Sequence, residues 1–451
     1  MESQVDAARL RTDFGKVLSV LEQTPSVDKT LAVERQEFEA RSRQVYAELA
    51  ARDIDLGLVF SDEHYCGDVP YLGGNTNITV EQVCGVVGRT GFHLIAGLEG
   101  GYVAEQLAAR SGATVHKAEL LQLADEEYPV AAEPLEDILC TANGGQPPGR
   151  IGLLTPRQVI PASLVEYVSQ LVGTENLVDA QEVYYRIKYE KSEREMELIS
   201  QAACIADAVM EAMLRVIRPG VLETQVAAWG YFVARELGAE ELGFDVIVGA
   251  NEANRALIGK ALNRPIHEGD YVNLGVGTKR DGLNACIRRS VIAAAAPAAV
   301  TEEQRFWFDL VEEGYRVGYD AYCTVARDQL PARLQEQALV DYFASRSQEV
   351  SARVGREIRL EELKPYTGTH NSGYTECQEF FGAITLDSHE PLGNRIVTML
   401  DVALRGIGNH WNDVRLPGLD YLVVENTLGK YGTRVETLTS LPLNVQPYVS
   451  F

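Results

Sequence analysis

One polar stretch constrains this chain more than any other: residues 268–291, EGDYVNLGVGTKRDGLNACIRRSV. It predicts a β-hairpin with a turn signal at its start and an extended run over residues 271–277. A second turn follows at residues 280–282, and a return strand is predicted over residues 283–291. A sheet built around this hairpin has to accommodate several polar side chains in its middle.

Side chains alternate between the two faces of a strand, and this places the polar residues of the hairpin together. Asn273 shares a face with Gly275, and Asn284 shares a face with Cys286 on the neighbouring strand. A buried hairpin with these residues in place of Val and Ile gives up packing. This indicates that something other than packing selected them.

Composition excludes several classes of partner. The chain has 451 residues, of which 46% are hydrophobic and 24% charged, and its net charge is -24. Such a charge repels nucleic acid and anionic membranes, so neither is predicted as a partner. There is no apolar run of the roughly 18 residues that a membrane span needs, and the charged start is unlike a signal peptide. The sequence therefore predicts a cytoplasmic location.

The first part of the chain predicts an α/β domain. Short apolar runs at residues 54–60, 84–88 and 93–98 are typical of strands. Helical patterns lie at residues 31–52 and 102–112. Strands that alternate with helices are typical of α/β domains.

A boundary is predicted near residues 179–187, where this pattern ends. A long amphipathic helix follows and is opened by Ser192 with Glu195 three residues later, which is the spacing of a capping box. Two apolar strands are predicted further on, at residues 396–404 and 421–428. The second part of the chain thus mixes long helices with strands.

From about residue 186 onward, and more weakly from residue 37, the chain resembles the pita-bread superfamily of creatinase, aminopeptidase P, prolidase and methionine aminopeptidase. The opening stretch is similar to that family's hairpin, GDxVxxDxG followed by GYxxDxTR. The segments TGTHNSG, IVTMLDV and YLVVENTLGKYGTRVETLT resemble, in the same order, three later segments that carry metal ligands. The resemblance implies an α/β N-terminal domain over residues 1–183 and an α+β pita-bread catalytic domain over residues 184–451.

The resemblance implies metal ligands at His370, Asp401 and Glu425. In the peptidases of the family, two Asp residues of the hairpin bridge two metal ions, and those positions are Gly275 and Cys286 here. A two-metal centre of that kind is therefore not expected. One imidazole and two carboxylates suffice for one Mn, Fe or Zn ion, with Mn favoured, and Cys286 is a candidate fourth ligand. The alternative is a metal-free polar site, which creatinase shows that this scaffold allows.

The histidines that move protons in this family are missing. The segment 249–258 aligns with one that carries a catalytic His in creatinase, but it contains none, and the family's second His corresponds to Cys377. Glu376 and Glu379 lie beside that position and are the candidate general acid or base, with His370 as a further catalytic residue. Solvated loop charges are the alternative interpretation of the two glutamates.

Amide and guanidinium groups predict the character of the substrate pocket. Arg presents a planar fork that suits carboxylate or nitro oxygens, so a small anionic substrate is expected rather than a peptide. Alternation predicts that Arg288 shares the face of Cys286, whereas Arg289 points away. Two alternatives stay open: Arg289 matches a structural Arg of the family motif, and Arg255 is compatible with a surface position. The candidate substrate-binding residues are Asn251, Asn254, Arg255, Asn273, Asn284, Arg288 and Arg289.

Together these expectations describe a hydrolase that cleaves a non-peptide C–N bond of a small anionic molecule with water on one divalent ion. Aromatic amine deaminases of the 5-nitroanthranilate aminohydrolase type share the scaffold and fit this description. One alternative is a metal-free, creatinase-like amidinohydrolase or cyclic-amide hydrolase, and another is a catalytically inactive binding domain. The family also implies a homodimer or a larger homo-oligomer.

Overall fold

The chain forms two compact units. The computed structural model describes residues 6–74, 81–122, 132–296, 299–364, 368–376 and 381–449. The larger unit comprises Met1–Thr30, Lys191–Ser372 and Gly382–Phe451, and the smaller unit comprises Leu31–Glu190 and Gly373–Phe381. The division after residue 190 lies seven residues beyond the predicted one. The N-terminal segment belongs to the larger unit because its helix α1 (Ala7–Gln23) places Val17 and Val20 in that unit's core.

The smaller unit is an α/β domain, as predicted. Its strands form a mixed sheet in the order β4-β3-β2-β1-β5-β6, with β1 antiparallel to β2 and parallel to β5. The helices are α2 Arg35–Ala50, α3 Asp68–Gly73, α4 Leu98–Ser111, α5 Leu135–Ala142, α6 Ala162–Val172 and α7 Gln181–Tyr189. The strands are β1 Leu56–Ser61, β2 Val83–Gly88, β3 Gly91–Ala96, β4 Thr114–Lys117, β5 Ile151–Leu153 and β6 Leu177–Asp179.

The larger unit is an antiparallel sheet covered by long helices. Its strands lie in the order β10-β11-β12-β9-β8-β7, and β13 pairs with β12. The helices are α1, α8 Glu193–Val216, α9 Glu223–Leu237, α10 Glu302–Asp328 and α11 Arg333–Val354. The strands are β7 Glu241–Ala250, β8 Tyr271–Arg280, β9 Leu283–Ile292, β10 Thr369–Asn371, β11 Arg395–Arg405, β12 Tyr421–Tyr431 and β13 Arg434–Thr437. Short 3₁₀ turns lie at Glu119–Leu121, Thr174–Asn176, Asn251–Ala256, Leu360–Glu362 and Gln446–Tyr448. Among the described helices, none is both long and apolar enough to cross a membrane.

Helix α8 begins at the predicted capping box. The backbone N–H of Glu195 donates to the Ser192 hydroxyl over 3.0 Å, and the Glu195 carboxylate accepts from the Ser192 N–H over 2.8 Å. The apolar face of the helix packs on the sheet in one core cluster with Val272 and Leu274 of β8. Helix α10 covers the same face further along, where its Tyr315 hydroxyl accepts from the Asn426 side chain over 2.8 Å. These two helices therefore leave the opposite face of the sheet for polar groups.

The predicted hairpin is confirmed as strands β8 and β9, and every residue of both strands is buried. The last paired residues before the turn are Arg280 and Leu283, so the turn between the strands has two residues. Asp281 and Gly282 in that turn have φ angles of 49° and 80°. An Asp-Gly pair with two positive φ angles is the turn whose twist matches that of the flanking strands.

We predict that Gly282→Ala destabilises the larger unit by about 1–2 kcal/mol, because an alanine Cβ is strained at a positive φ. Gly15→Ala is the matched control. Gly15 lies inside helix α1, and apart from the neighbouring backbone of that helix, no described atom would lie within 4 Å of a Cβ there. The Gly15→Ala substitution should stabilise the helix by about 0.5–1 kcal/mol. Urea unfolding of both variants measures the difference, and equal effects would contradict this account of the turn.

Candidate metal centre

The strand register brings four functional residues into one row across the sheet. Asp401 of β11 lies opposite Glu425 of β12, Glu425 lies opposite Arg288 of β9, and Arg288 lies opposite Gly275 of β8. Directly opposed residues of antiparallel strands project from the same face. All four therefore lie on the face that α8 and α10 do not cover.

His370 completes the group from the edge strand β10. It lies opposite Met399, which shares a face with Asp401 two residues further along β11. One ligand atom from each of His370, Asp401 and Glu425 lies within 4.8 Å of the others. The two carboxylates are buried, and the imidazole is half-buried. The three residues that the sequence predicts as metal ligands thus converge.

These three residues fit a divalent metal ion. Nε2 of His370 lies 3.6 Å from Oε1 of Glu425, which is longer than a hydrogen bond. Within the part of the chain that the structure describes, Oε1 of Glu425 accepts no hydrogen bond although it is buried. A buried carboxylate oxygen is costly unless a partner satisfies it. A cation between the imidazole and this oxygen supplies that partner, and one nitrogen with carboxylate oxygens suits Mn, Fe or Zn.

Cys286 lies next to this group but outside it. Its Sγ donates to Oε2 of Glu425 over 3.4 Å, on the other side of the carboxylate from His370. Its backbone N–H donates to the Thr427 hydroxyl over 2.9 Å. The sulfur therefore contacts a predicted metal ligand directly. Its own role as a fourth ligand stays a prediction.

Arg288 is committed to protein groups rather than open to a ligand. Its Nη1 lies 3.3 Å from Oδ2 of Asp401, and its Nε lies 4.0 Å from Oε2 of Glu425. Its Nη2 donates to the backbone carbonyl of Leu257 over 2.7 Å. The guanidinium also lies 5.5 Å from the centre of the Tyr421 ring. Arg288 lies on the predicted face of the sheet, and its ion-pair partners there are the carboxylates of Asp401 and Glu425, the two acidic residues predicted as metal ligands.

The contacts of Arg289 are those of a structural residue, which favours that alternative over the predicted contact with substrate. Its side chain is fully buried on the opposite face, and burial lowers its pKa to about 10. All five of its N–H groups have partners within 2.9 Å, which leaves none for a substrate. The acceptors are the backbone carbonyls of Arg288, Glu425, Leu441 and Pro442 and the side chain of Asn426.

Arg255 and Asn251, two predicted substrate-binding residues of the segment 249–258, have protein partners in the structure. Nε of Arg255 lies 2.8 Å from Oδ1 of Asp420, and its Nη1 donates to the carbonyl of Trp411 over 3.3 Å. Asn251 is exposed, and its Nδ2 lies 3.2 Å from Nδ1 of His267. Arg255 therefore pairs with the carboxylate of Asp420, which is not one of the predicted metal ligands.

The side-chain amides of Asn254 and Asn273 use their nitrogen on the protein itself. Nδ2 of Asn254 donates to the carbonyl of Tyr421 over 2.9 Å, and Nδ2 of Asn273 donates to the carbonyl of Leu257 over 3.1 Å. A backbone carbonyl can only accept, so these contacts fix which end of each amide is nitrogen. Among the described residues, nothing donates to the buried Oδ1 of Asn254, Asn273 or Asn284. A bound group that carries N–H or O–H would supply the hydrogen-bond donors that these oxygens lack among the described residues.

The two glutamates proposed for proton transfer are not tested by this geometry. Glu376 is half-buried and belongs to the smaller unit, and Glu379 lies outside the described residues. The structure adds Leu257, which the sequence did not indicate. Its backbone has φ 57° and ψ -52°, an unusual conformation for leucine, and its carbonyl accepts from both Asn273 and Arg288. No sequence signal marks this position, because its role depends on a backbone carbonyl.

Comparisons with known proteins concern the fold and part of the larger unit. Residues 197–338 match the model of metallopeptidase family M24. The Xaa-Pro dipeptidase of Pyrococcus horikoshii is 26% identical over 222 residues, which cover 49% of this chain and 60% of that protein. The peptidase YqhT of Bacillus subtilis, itself uncharacterized, is 30% identical over 153 residues, which cover 34% of this chain and 40% of that protein. The matched region thus spans about half the length of these relatives.

Solved structures show the same fold. The prolidase from Pyrococcus horikoshii superposes with a TM-score of 0.67 at 16% identity, over 89% of this chain and 99% of that one. The Xaa-Pro dipeptidase from Bacillus anthracis gives a TM-score of 0.66 at 18% identity, over 91% and 99%. The chain therefore has the pita-bread fold of these prolidases, and part of its larger unit matches the M24 model.

We predict that Arg289→Met destabilises the protein by about 3–5 kcal/mol, because it leaves several buried acceptors without donors. Arg52→Ala is the control. Arg52 forms an exposed pair with Glu48 and should change the free energy of unfolding by less than about 1 kcal/mol. Both values come from chemical unfolding. A folded Arg289→Met protein of normal stability that has lost substrate affinity would restore Arg289 to the substrate-binding set.

Proposed function

We propose that this protein is a hydrolase that cleaves a C–N bond with the help of one divalent ion, with Mn favoured. The convergence of His370, Asp401 and Glu425 around a buried oxygen to which none of the described residues donates carries the proposal. The M24 match over residues 197–338 supports it, since that is a family of metallopeptidases. When bound, such an ion lowers the pKa of a water ligand to near neutral, which makes hydroxide available at neutral pH.

The residues of the chain have separate tasks in this proposal. His370, Asp401 and Glu425 hold the ion, and Cys286 approaches the same carboxylate from the side of Arg288. Glu376 or Glu379 transfers the proton to the leaving nitrogen. The amide oxygens near the centre accept hydrogen bonds from the substrate and orient it.

For the substrate, we propose a small aromatic amine, as in deaminases of the 5-nitroanthranilate aminohydrolase type. An amino group supplies the N–H donors that Oδ1 of Asn254 and Oδ1 of Asn273 can accept. The anionic group of the substrate has less support. It was predicted from arginine donors, yet Arg255 and Arg288 pair with carboxylates, and Arg289 is saturated. The free amine is therefore the better supported feature of the substrate.

A second candidate is hydrolysis of a peptide C–N bond. Two curated relatives are named Xaa-Pro dipeptidase, and a dipeptide also carries N–H donors. Against it stands the loss of both bridging aspartates, because the peptidases use them to bind two ions. A metal-free enzyme like creatinase and an inactive binding domain are the remaining alternatives. Cytoplasmic location and assembly into a homodimer or larger homo-oligomer stay predictions.

We predict that protein purified without chelator contains one divalent ion per chain, measured by inductively coupled plasma mass spectrometry. His370→Ala should weaken binding of that ion at least about 100-fold, because a direct ligand is lost. His389→Ala, at an exposed position in the same unit, should bind the ion normally. Wild-type protein that contains no ion and keeps its activity in EDTA would favour the metal-free alternative.

We predict that the enzyme releases ammonia from amino-substituted nitrobenzoates and releases no proline from Xaa-Pro dipeptides. Both products are measured with the same metal-loaded sample, and the His370→Ala protein serves as the background. Asn273→Ala should raise KM more than it lowers kcat, because it removes an acceptor that binds the amine without taking part in bond cleavage. If proline is released at a higher rate than ammonia, the deaminase proposal is wrong and the peptidase is supported instead.

A further inference from the structure

We propose that the guanidinium of Arg288 takes the place of a second metal ion, so that the centre consists of one divalent ion and one fixed organic cation. This proposal rests on the proposed function, since it assumes an ion between His370, Asp401 and Glu425. It assigns to Arg288 a positioning role in place of the substrate contact that the sequence predicted.

The two oxygens of Glu425 face different cations. Oε1 lies 3.6 Å from Nε2 of His370, whereas Oε2 lies 4.0 Å from Nε of Arg288. Asp401 also reaches the arginine, with Oδ2 at 3.3 Å from Nη1. Each carboxylate of the centre is thus in ion-pair range of the guanidinium. A second metal ion on that side would have to displace it.

Gly275 makes room for this arrangement. A Cβ at this position would lie 3.0 Å from Cγ of Arg288 and 3.5 Å from its Cδ and Nε. Gly275 lies in the middle of a strand and has no positive φ, so its backbone conformation does not require glycine. Glycine inside a strand often marks the close approach of another group. Here that group is the arginine stem, directly opposite on β9.

The guanidinium is held firmly in position. Its Nη2 donates to the Leu257 carbonyl over 2.7 Å, and its side chain is 5% exposed. Arginine stays protonated in proteins, so this charge is permanent. Two carboxylates and one guanidinium carry a net charge of -1, which one divalent ion changes to +1. A second divalent ion would bring the buried centre to +3, and like charges at this separation repel strongly.

The test measures how many Mn²⁺ ions the protein binds with and without the positive charge of Arg288. Wild-type protein, Arg288→Gln, Arg288→Lys and Arg255→Gln are titrated with Mn²⁺ by isothermal calorimetry, and electron paramagnetic resonance detects coupled ion pairs. We expect one ion in wild type and in Arg288→Lys, which keeps the charge. We expect two coupled ions in Arg288→Gln. Arg255→Gln removes a guanidinium that pairs with Asp420 outside the centre, so it should bind one ion.

Several results would overturn the proposal. One ion in folded Arg288→Gln, with the affinity of the wild type, would show that the guanidinium does not exclude a second ion. If circular dichroism shows that Arg288→Gln does not fold, the number of ions bound by the wild type is the test. Two coupled Mn²⁺ ions in the wild type contradict the proposal, and one ion supports it. Two ions in the wild type would overturn the single-ion centre, but hydrolysis of a C–N bond with the help of metal would stand. No ion at all would overturn both.

Discussion

The pairing register of strands β8, β9, β11 and β12 is the constraint on which the rest of the site depends. It sets Gly275, Arg288, Glu425 and Asp401 side by side on one face. A slip of one residue would turn every one of them toward the core under α8 and α10, because side chains alternate with a period of two. Those helices fill the other face with apolar contacts, and the hairpin turn at Asp281-Gly282 fixes where the pairing begins.

Alternation also explains why two adjacent arginines have unrelated roles. Arg289 faces the helices, where five acceptors bind its N–H groups and tie β9 to β12 and to the segment near Pro442. Arg288 faces the centre, where two carboxylates and one carbonyl hold it. A buried cation needs such partners, since desolvation of an isolated charge is costly. The first arginine therefore stabilises the frame, and the second sets the charge of the site.

Much of the fold could be predicted from the sequence, because it depends on local patterns such as the hairpin and the capping box at Ser192. The convergence of His370, Asp401 and Glu425 was expected from the resemblance of their segments, and their role as ligands stays a prediction. The roles of the arginines and amides could not be predicted, since they depend on which backbone carbonyls lie nearby after folding. Leu257 is the clearest case, because its carbonyl orients both Asn273 and Arg288. The placement of helix α1 in the larger unit likewise follows from contacts distant in sequence.

We propose that this site holds one ion at His370, Asp401 and Glu425, beside a guanidinium. Anomalous diffraction from crystals soaked in Mn²⁺ locates each ion independently of activity. We expect one anomalous peak within coordination distance of Nε2 of His370 and of both carboxylates, with Arg288 still paired to Asp401. Two peaks bridged by Glu425, or no peak at this site, would contradict it.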